Sequence, residues 1–381
     1  MRRVLVDVLA CPGCGGALAL DAYEEGAELE TGLLSCACGA WYPVLRGVPR
    51  LLLGDLRDDY GDFIRRWNPR VCGRPVPASS GDKAATKASF SAKWTALAPG
   101  FGFDRPGIRA FYDTWFRQKL ALADDAAFRA FFQGRRWMID AGCGAGGKVE
   151  TLCRMNPAAQ VVGLDLSGGV DSARKNLAGF PQAHLVQADL MRPPFRRGTF
   201  DFVSSDGVIH HTPSTRAALE SLVPLVAPGG HIFVHVYRKL NPIREFTDDH
   251  IRATTTAMSP EECWEASRAF TELGKALHEL GVVVEVPRDL PLLGIEPGKH
   301  PLQRLFYNRV FQCFWNPEFT FDENNLVNFD WFHPPYAFRH TVEEIRAWME
   351  AAGLRDVNVH SPNEKGVSGI ALMPQTAGRN S

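Results

Sequence analysis

The sequence has almost no net charge: 42 Lys and Arg stand against 43 Asp and Glu, leaving −1 at pH 7. No global basic field recruits nucleic acid or an anionic membrane surface, and no Lys/Arg-rich stripe does so locally. Long apolar runs are missing as well. Stretches such as Gly281–Val286 and His231–Val236 fall far short of the ~20 residues that a membrane helix needs. The chain opens Met1-Arg2-Arg3, but Asp7 interrupts the apolar stretch and Cys11-Pro12-Gly13-Cys14 stands where a cleavage site would be required. It reads poorly as a secretory signal, so the cytoplasm is the expected location. Internal repeats and low-complexity tracts are absent. The expected partner is a small molecule, with no membrane and nothing that favours nucleic acid; oligomeric state leaves no mark.

What is present is an ordinary globular composition, 45% hydrophobic and 22% charged over 381 residues. A prior of about 150 residues per domain gives two or three domains. Nine cysteines are unevenly spread. Four fall in the first 38 residues, whereas Cys72, Cys143, Cys153, Cys263 and Cys313 are scattered. An odd total with a clustered subset suits a reducing compartment and a metal site better than a disulfide framework.

The cluster has a metal-ligand pattern. Cys11-Pro12-Gly13-Cys14 and Cys36-Ala37-Cys38-Gly39 are two knuckles separated by 21 residues. Four thiolates satisfy tetrahedral Zn²⁺ and leave no open position, so one structural zinc on Cys11, Cys14, Cys36 and Cys38 is expected. The second knuckle is Cys-x-Cys, less common than Cys-x-x-Cys. The words around the knuckles, Leu9–Leu18 and Cys36–Leu52, resemble a small zinc-ribbon family that activates tRNA and translation-factor methyltransferases and also occurs fused to bacterial methyltransferases. The resemblance covers about residues 5–53 and implies a stabilising or substrate-gating module.

Composition divides the chain into a Cys/Gly-rich region 1–55, a linker 56–104, and a third region 105–375 that alternates helix and strand patterns. The linker holds Pro75, Pro77, Ser79, Ser80 and Gly81, with one helical piece near Ser89–Leu97. In the third region a helix is expected over Phe111–Phe132. Apolar strands then follow at Trp137–Asp140, Val161–Asp165, Leu185–Gln187, Phe200–Ser205 and His231–Val236, separated by helical patterns. This alternation predicts an α/β fold with a doubly wound, mostly parallel sheet. A helical and aromatic-rich insertion, 238–340, precedes the last helix and two closing strands.

Met138-Ile139-Asp140-Ala141-Gly142-Cys143-Gly144-Ala145-Gly146-Gly147 runs from a strand into a glycine turn and a helix. Glycines there let the backbone approach a ligand that a Cβ would exclude. Asp165 ends the next strand, 18 residues after Gly147, where it can accept hydrogen bonds from ribose hydroxyls. Gly142-x-Gly144-x-x-Gly147 also fits the dinucleotide fingerprint, so the loop alone leaves a nicotinamide cofactor open. The rest of the series decides. Asp140–Gly146, Val162–Ser167, Ala188-Asp189, Phe200-Asp201, Asp206–Thr212 and Leu225–Gly230 follow one another as in class I S-adenosylmethionine (SAM)-dependent methyltransferases, which the chain resembles over 135–236 and 341–373. The resemblance implies a seven-stranded sheet with an antiparallel final strand. It also implies Asp140, Gly142, Gly144 and Gly146 at the methionine end, Asp165 and Leu166 at the ribose, and Ala188 and Asp189 at the adenine, with Asp206 a further cofactor-binding candidate.

Methyl transfer from a sulfonium needs positioning and dryness, and a base only where the acceptor loses a proton. Asp206, His210 and His211 sit in the loop after the fourth strand, and Tyr237 follows the fifth. One histidine is a candidate base, though the pair can equally hold the loop. Tyr237 is a candidate catalytic group or a wall. Phe311–Pro317 and Asn328–Tyr336 are candidates for an acceptor pocket, a lid or an aromatic satellite core. The expected activity is methylation of a small or medium-sized metabolite at O, N or C. The alternatives are an RNA or protein methyltransferase guided by the ribbon, a nicotinamide oxidoreductase, and a non-catalytic SAM-binding protein.

Overall fold

Runs of Val, Ile, Leu and Phe that carry polar residues only at their ends make strands buried on both faces, which calls for helices above and below the sheet. The computed structural model describes residues 1–58, 60–67, 83–97, 105–363 and 365–375. The N-terminal region forms β1 (Leu18–Glu25), β2 (Leu29–Cys36), β3 (Trp41–Leu45) and β4 (Val48–Leu51). Helices α1 (Gly61–Trp67), α2 (Ala84–Ala92), α3 (Pro106–Lys119) and α4 (Asp125–Phe132) lead into the alternating part. This comprises β5 (Trp137–Ala141), α5 (Gly147–Met155), β6 (Gln160–Asp165), α6 (Gly169–Asn176), β7 (Ala183–Ala188), β8 (Phe200–Asp206), α7 (Thr215–Leu222) and β9 (Val226–Arg238). The insertion contributes α8 (Pro242–Thr255), α9 (Pro260–Glu279), a hairpin of β10 (Val283–Val286) and β11 (Gly298–Pro301), α10 (Leu302–Arg309) and α11 (Phe321–Phe332). The short β12 (Arg339–His340), α12 (Val342–Ala351), β13 (Arg355–Asn363) and β14 (Gly366–Leu372) close the chain.

The strands β7-β6-β5-β8-β9-β14-β13 form the expected seven-stranded core of the sheet. β5 to β9 pair in parallel, and β14 runs antiparallel to both its neighbours. The strand order reverses at β5, which opens a crevice at the carboxyl ends of the strands.

The N-terminal strands do not stand apart. β4 pairs in parallel with β7 through Arg50↔Gln187 and Leu51↔Ala188, so one sheet runs from β1 to β13. Arg50, buried, donates to Gln187 Oε1 at 3.0 Å and to Asp171 Oδ1 at 2.7 Å. Leu5, Leu9, Leu34, Tyr42 and Leu51 belong to the same buried cluster as Ile139, Val162, Val186 and Ile232. The cysteine-rich N-terminal region is therefore an extension of the large sheet's edge.

Two local expectations change. The helix expected over Phe111–Phe132 is two helices: the chain turns at Ala121, whose φ is +56°, and Asp124 restarts α4 by accepting from the Ala127 N–H at 2.8 Å. The helical piece expected from Ser89 begins earlier, at Ala84, and runs on to Leu97. Cys72 and the Pro75–Gly81 stretch lie outside the described residues. No helix among the described residues is long and apolar enough to cross a membrane. Because one cluster spans the N-terminal strands and the large sheet, the two should melt together: calorimetry is expected to show a single unfolding transition for residues 1–375, and two separable transitions would contradict the shared core.

Candidate active site

Parallel strands put their carboxyl ends on one edge, and four of them end in acids. Asp140 lies in β5, Asp165 ends β6, Asp189 follows β7, and Asp206 ends β8. All four line one cavity of about 470 Å³, a size typical of small-molecule sites. The glycine loop contributes Gly142, Cys143, Ala145 and Gly147 to its wall, and Leu166 and Ala188 line it too. Gly142 has φ +98°, and a Cβ there would lie 2.3 Å from the Val208 side chain. Gly144 and Gly146 shape the loop from behind the wall: a Cβ on Gly144 would meet the Trp94 ring at 2.5 Å, and one on Gly146 would meet Leu177 at 2.9 Å.

Asp165 is largely committed. Its Oδ1 accepts from Ser167 N–H (2.8 Å) and Ser167 Oγ (2.6 Å), and its Oδ2 accepts from Gly144 N–H (2.8 Å). A carboxylate offers about four lone-pair sites, so one remains free on Oδ2. Asp189 accepts from Met191 N–H at 2.9 Å and forms an ion pair with Lys83. Asp206, half-buried, lies between Lys119 (2.7 Å) and Lys148 (3.0 Å). Burial pushes its carboxyl up, but the two ammonium groups hold it well below the usual carboxylate range. Burial lowers Lys119 to about 8 against the pull of Asp206. Asp140, with only a Ser204 hydroxyl at 3.3 Å, is raised by burial to about 7.

At the other end of the row the two histidines separate in role. His211 lines the cavity, and its Nδ1 lies 2.6 Å from the Tyr336 carbonyl. A carbonyl only accepts, so Nδ1 carries the proton and Nε2 is left with a lone pair; this nitrogen is buried and has no partner. Burial lowers the His211 pKa to about 4, keeping the ring neutral. His210 has neither nitrogen partnered and is absent from the cavity wall. Its ring packs at 4.1 Å on His211 and at 3.9 Å on Tyr237. Tyr237 lines the cavity, stacks on Trp331 at 4.3 Å, and is pushed well above its ordinary pKa by burial.

Several lining residues lie outside the motifs that sequence patterns single out. Lys83, Thr86, Phe90, Lys93 and Trp94 come from the segment read as linker, and Tyr112, Trp115 and Lys119 from α3. The only sequence signal for the first group is the helical piece near Ser89–Leu97. The insertion supplies Tyr307, Gln312, Leu326, Val327, Asp330 and Trp331. Its amides hold the cap together: Asn328 accepts from Phe314 N–H (2.8 Å) and donates to Thr271 Oγ1 (2.8 Å), and Asn324 accepts from Asn316 N–H (2.7 Å). Phe329, Trp331 and Phe332 pack with Cys263 in a separate cluster, and Trp331 also lines the cavity. The aromatic segment is thus a satellite core and a pocket wall at once.

The four clustered cysteines also come together. One sulfur of each lies within 4.8 Å of the others, with Cys14–Cys36 at 3.5 Å and Cys11–Cys38 at 3.9 Å. A tetrahedron with Zn–S near 2.3 Å spaces its sulfurs ~3.8 Å apart, so the donor set fits zinc. The Tyr42 hydroxyl lies 3.3 Å from Cys11 Sγ, an outer contact that orients the ligand.

Comparison with known proteins gives a consistent class. The family model described as a methyltransferase domain matches residues 139–234. A malonyl-[acyl-carrier protein] O-methyltransferase of Legionella pneumophila is 40% identical over 80 residues, 21% of this chain and 28% of that protein. A fatty-acid O-methyltransferase of Mycolicibacterium smegmatis is 32% identical over 118 residues, 30% and 42% of the two chains. The chain spans about a quarter to a half of the length of the curated relatives it matches. Among solved structures, a SAM-dependent methyltransferase from Aquifex aeolicus aligns with a TM-score of 0.36 at 14% identity, over 70% of this chain and 98% of that one. Residues 139–234 match the methyltransferase-domain family.

Proposed function

We propose that the protein transfers the methyl group of SAM to an O, N or C atom of a small or medium-sized acceptor held beneath the insertion. The observation that carries this is the row of acids Asp140, Asp165, Asp189 and Asp206 along one cavity whose far wall is the aromatic cap. SAM supplies the methyl on a sulfonium, a leaving group that needs no protonation. The chain's residues do the rest. Asp165 Oδ2 accepts from a ribose hydroxyl; holding both hydroxyls requires Ser167 Oγ to release its bond. Asp189, with Lys83 beside it, borders the adenine end. Asp140 pairs with the methionyl ammonium, and Lys119 and Lys148 offer cations to the methionyl carboxylate. His211 Nε2 is the group placed to accept a proton from an acceptor hydroxyl. Tyr237, its phenol kept neutral, is a wall and donor. The cap over the strand edge keeps water from the sulfonium and favours an enclosed, small acceptor.

Zinc on Cys11, Cys14, Cys36 and Cys38 would fasten the two knuckles beside the β1–β4 strands, with no open position for chemistry. Through β4 and β7 that brace ends one residue from Asp189. Elemental analysis of protein purified without chelator is expected to give one zinc per chain; a value near zero would refute the site.

Calorimetry separates the cofactor classes. SAM and S-adenosylhomocysteine (SAH) are expected to bind and NAD is not, with Asp165→Ala weakening SAM by ~1–3 kcal/mol through lost charge-assisted hydrogen bonds. NAD binding without SAM binding would sink the reading. A pH series adds a second check. Asp140 is raised, so below pH 7 it holds a proton that must leave before the ammonium is paired. Affinity for SAM is therefore expected to be full above pH 7 and to fall as pH drops, approaching ~tenfold per unit. Asp140→Asn should bind more weakly and flatten that slope; an unchanged slope would remove Asp140 from the ammonium site.

A further inference from the structure

We infer that the acceptor carries a carboxylate, which binds between Lys365 Nζ and Gln312 Nε2 at the cap end of the cavity. This deepens the proposed function and rests on it for the position of the cofactor. The first observation is a charge count around the wall. Lys83 pairs with Asp189, Lys87 with Asp58, Lys93 with Asp330, Arg109 with Glu150, Lys119 and Lys148 with Asp206, and Arg154 with Asp113. Among the described residues, Lys365 is the cavity-lining cation with no carboxylate in salt-bridge reach. Its Nζ donates instead to the Tyr307 carbonyl at 2.9 Å, lies 3.5 Å from Gln312 Oε1, and sits over the Tyr307 ring at 2.8 Å from its centroid, with the Trp331 ring at 5.6 Å.

The second observation is an orphan donor beside it. Gln312 is fully buried and lines the same wall. Arg244, which can only donate, holds Gln312 Oε1 at 2.6 Å and is itself fixed by Asp248 at 2.7 Å. That fixes the amide's orientation, and Nε2 is left buried with no acceptor in hydrogen-bonding geometry. A buried unmade hydrogen bond costs on the order of 1–3 kcal/mol, and a ligand oxygen removes that cost. The Tyr307 phenol faces the same amide and stays neutral, burial having pushed it up to about 12. Burial and the Arg244 guanidinium also push the Lys365 ammonium well below its ordinary value, which an anion alongside would reverse.

The geometry selects the ligand class. One surplus cation with one neutral N–H matches a monoanion with two oxygens; a phosphate dianion would leave charge uncompensated. Around these donors Tyr307, Trp331, Leu326, Val327 and Tyr237 supply an apolar wall, suited to a hydrocarbon or aromatic body behind the carboxylate. Gly366, next to Lys365, pairs with Tyr237 across the sheet. The anchor therefore sits one residue from the partner of Tyr237, whose ring packs on His210 at 3.9 Å and on His211 at 5.3 Å.

The test uses the full chain saturated with SAH, titrated with octanoate and 3-phenylpropionate, with their primary amides as neutral twins, and with inorganic phosphate. The carboxylates are expected to bind wild-type protein at least tenfold tighter than the amides, with phosphate failing to displace them. Lys365→Met should abolish the acid-over-amide preference, Lys365→Arg should retain part of it, and Gln312→Leu should weaken acids several-fold, all with SAH affinity within twofold of wild type. Equal binding of acid and amide, preference undiminished in Lys365→Met, or displacement by phosphate would overturn the assignment. Failure of SAH to bind would fall on the cofactor reading alone, and the same acid–amide titration without SAH then decides this one.

Discussion

Four carboxylates at the ends of adjacent parallel strands, sharing one cavity, impose a constraint that organises everything around them. Buried like charges cannot all ionise without counter-charges, and the sheet itself supplies none. The cations come from outside it: Lys83 from the segment before α2, Lys119 from the end of α3, and Lys148 from the first turn of α5. Asp206 takes two of them and stays ionised, while Asp140 takes none directly and is raised to about 7. Removing one partner of such a buried pair costs on the order of 3–5 kcal/mol. The segments that bring the lysines are therefore bound to the strand edge by electrostatics as well as by packing.

This explains where the walls of the cavity come from. Trp94, carried by the same segment as Lys83 and Lys93, rests against Gly144, and Lys93 reaches Asp330 in the cap at 2.7 Å. One ion pair thus ties the linker to the insertion across the opening of the cavity. On the opposite flank, β4 continues the sheet beside β7, so the four-cysteine cluster and Asp189 share one structural edge.

How much of this was legible in the residues follows from which forces are local. The strands of the alternating part read directly, since Val161–Asp165 or His231–Val236 must be buried whatever surrounds them. The glycine loop and the acids after each strand read from order and spacing. The break at Ala121 did not, because Phe111–Phe132 carries rings on both sides of a turn set by one backbone dihedral and the Asp124 cap. The role of 83–97 was hidden for a different reason. Lys83, Lys93 and Trp94 acquire their meaning only from partners 50 or more residues away, and no periodicity records such contacts. The joining of β4 to β7 is of the same kind: Val48-Pro49-Arg50-Leu51 is too short to announce a strand buried inside a larger sheet.

The chemistry proposed depends on a cofactor lying in this cavity with its sulfur toward the cap. A crystal structure with SAH tests this most directly. The ribose is expected at Asp165 and the sulfur between the Gly142 loop and the side chains of His211, Tyr237 and Trp331, facing the cap. A sulfur pointing away from those rings, or a ligand bound outside this cavity, would contradict it.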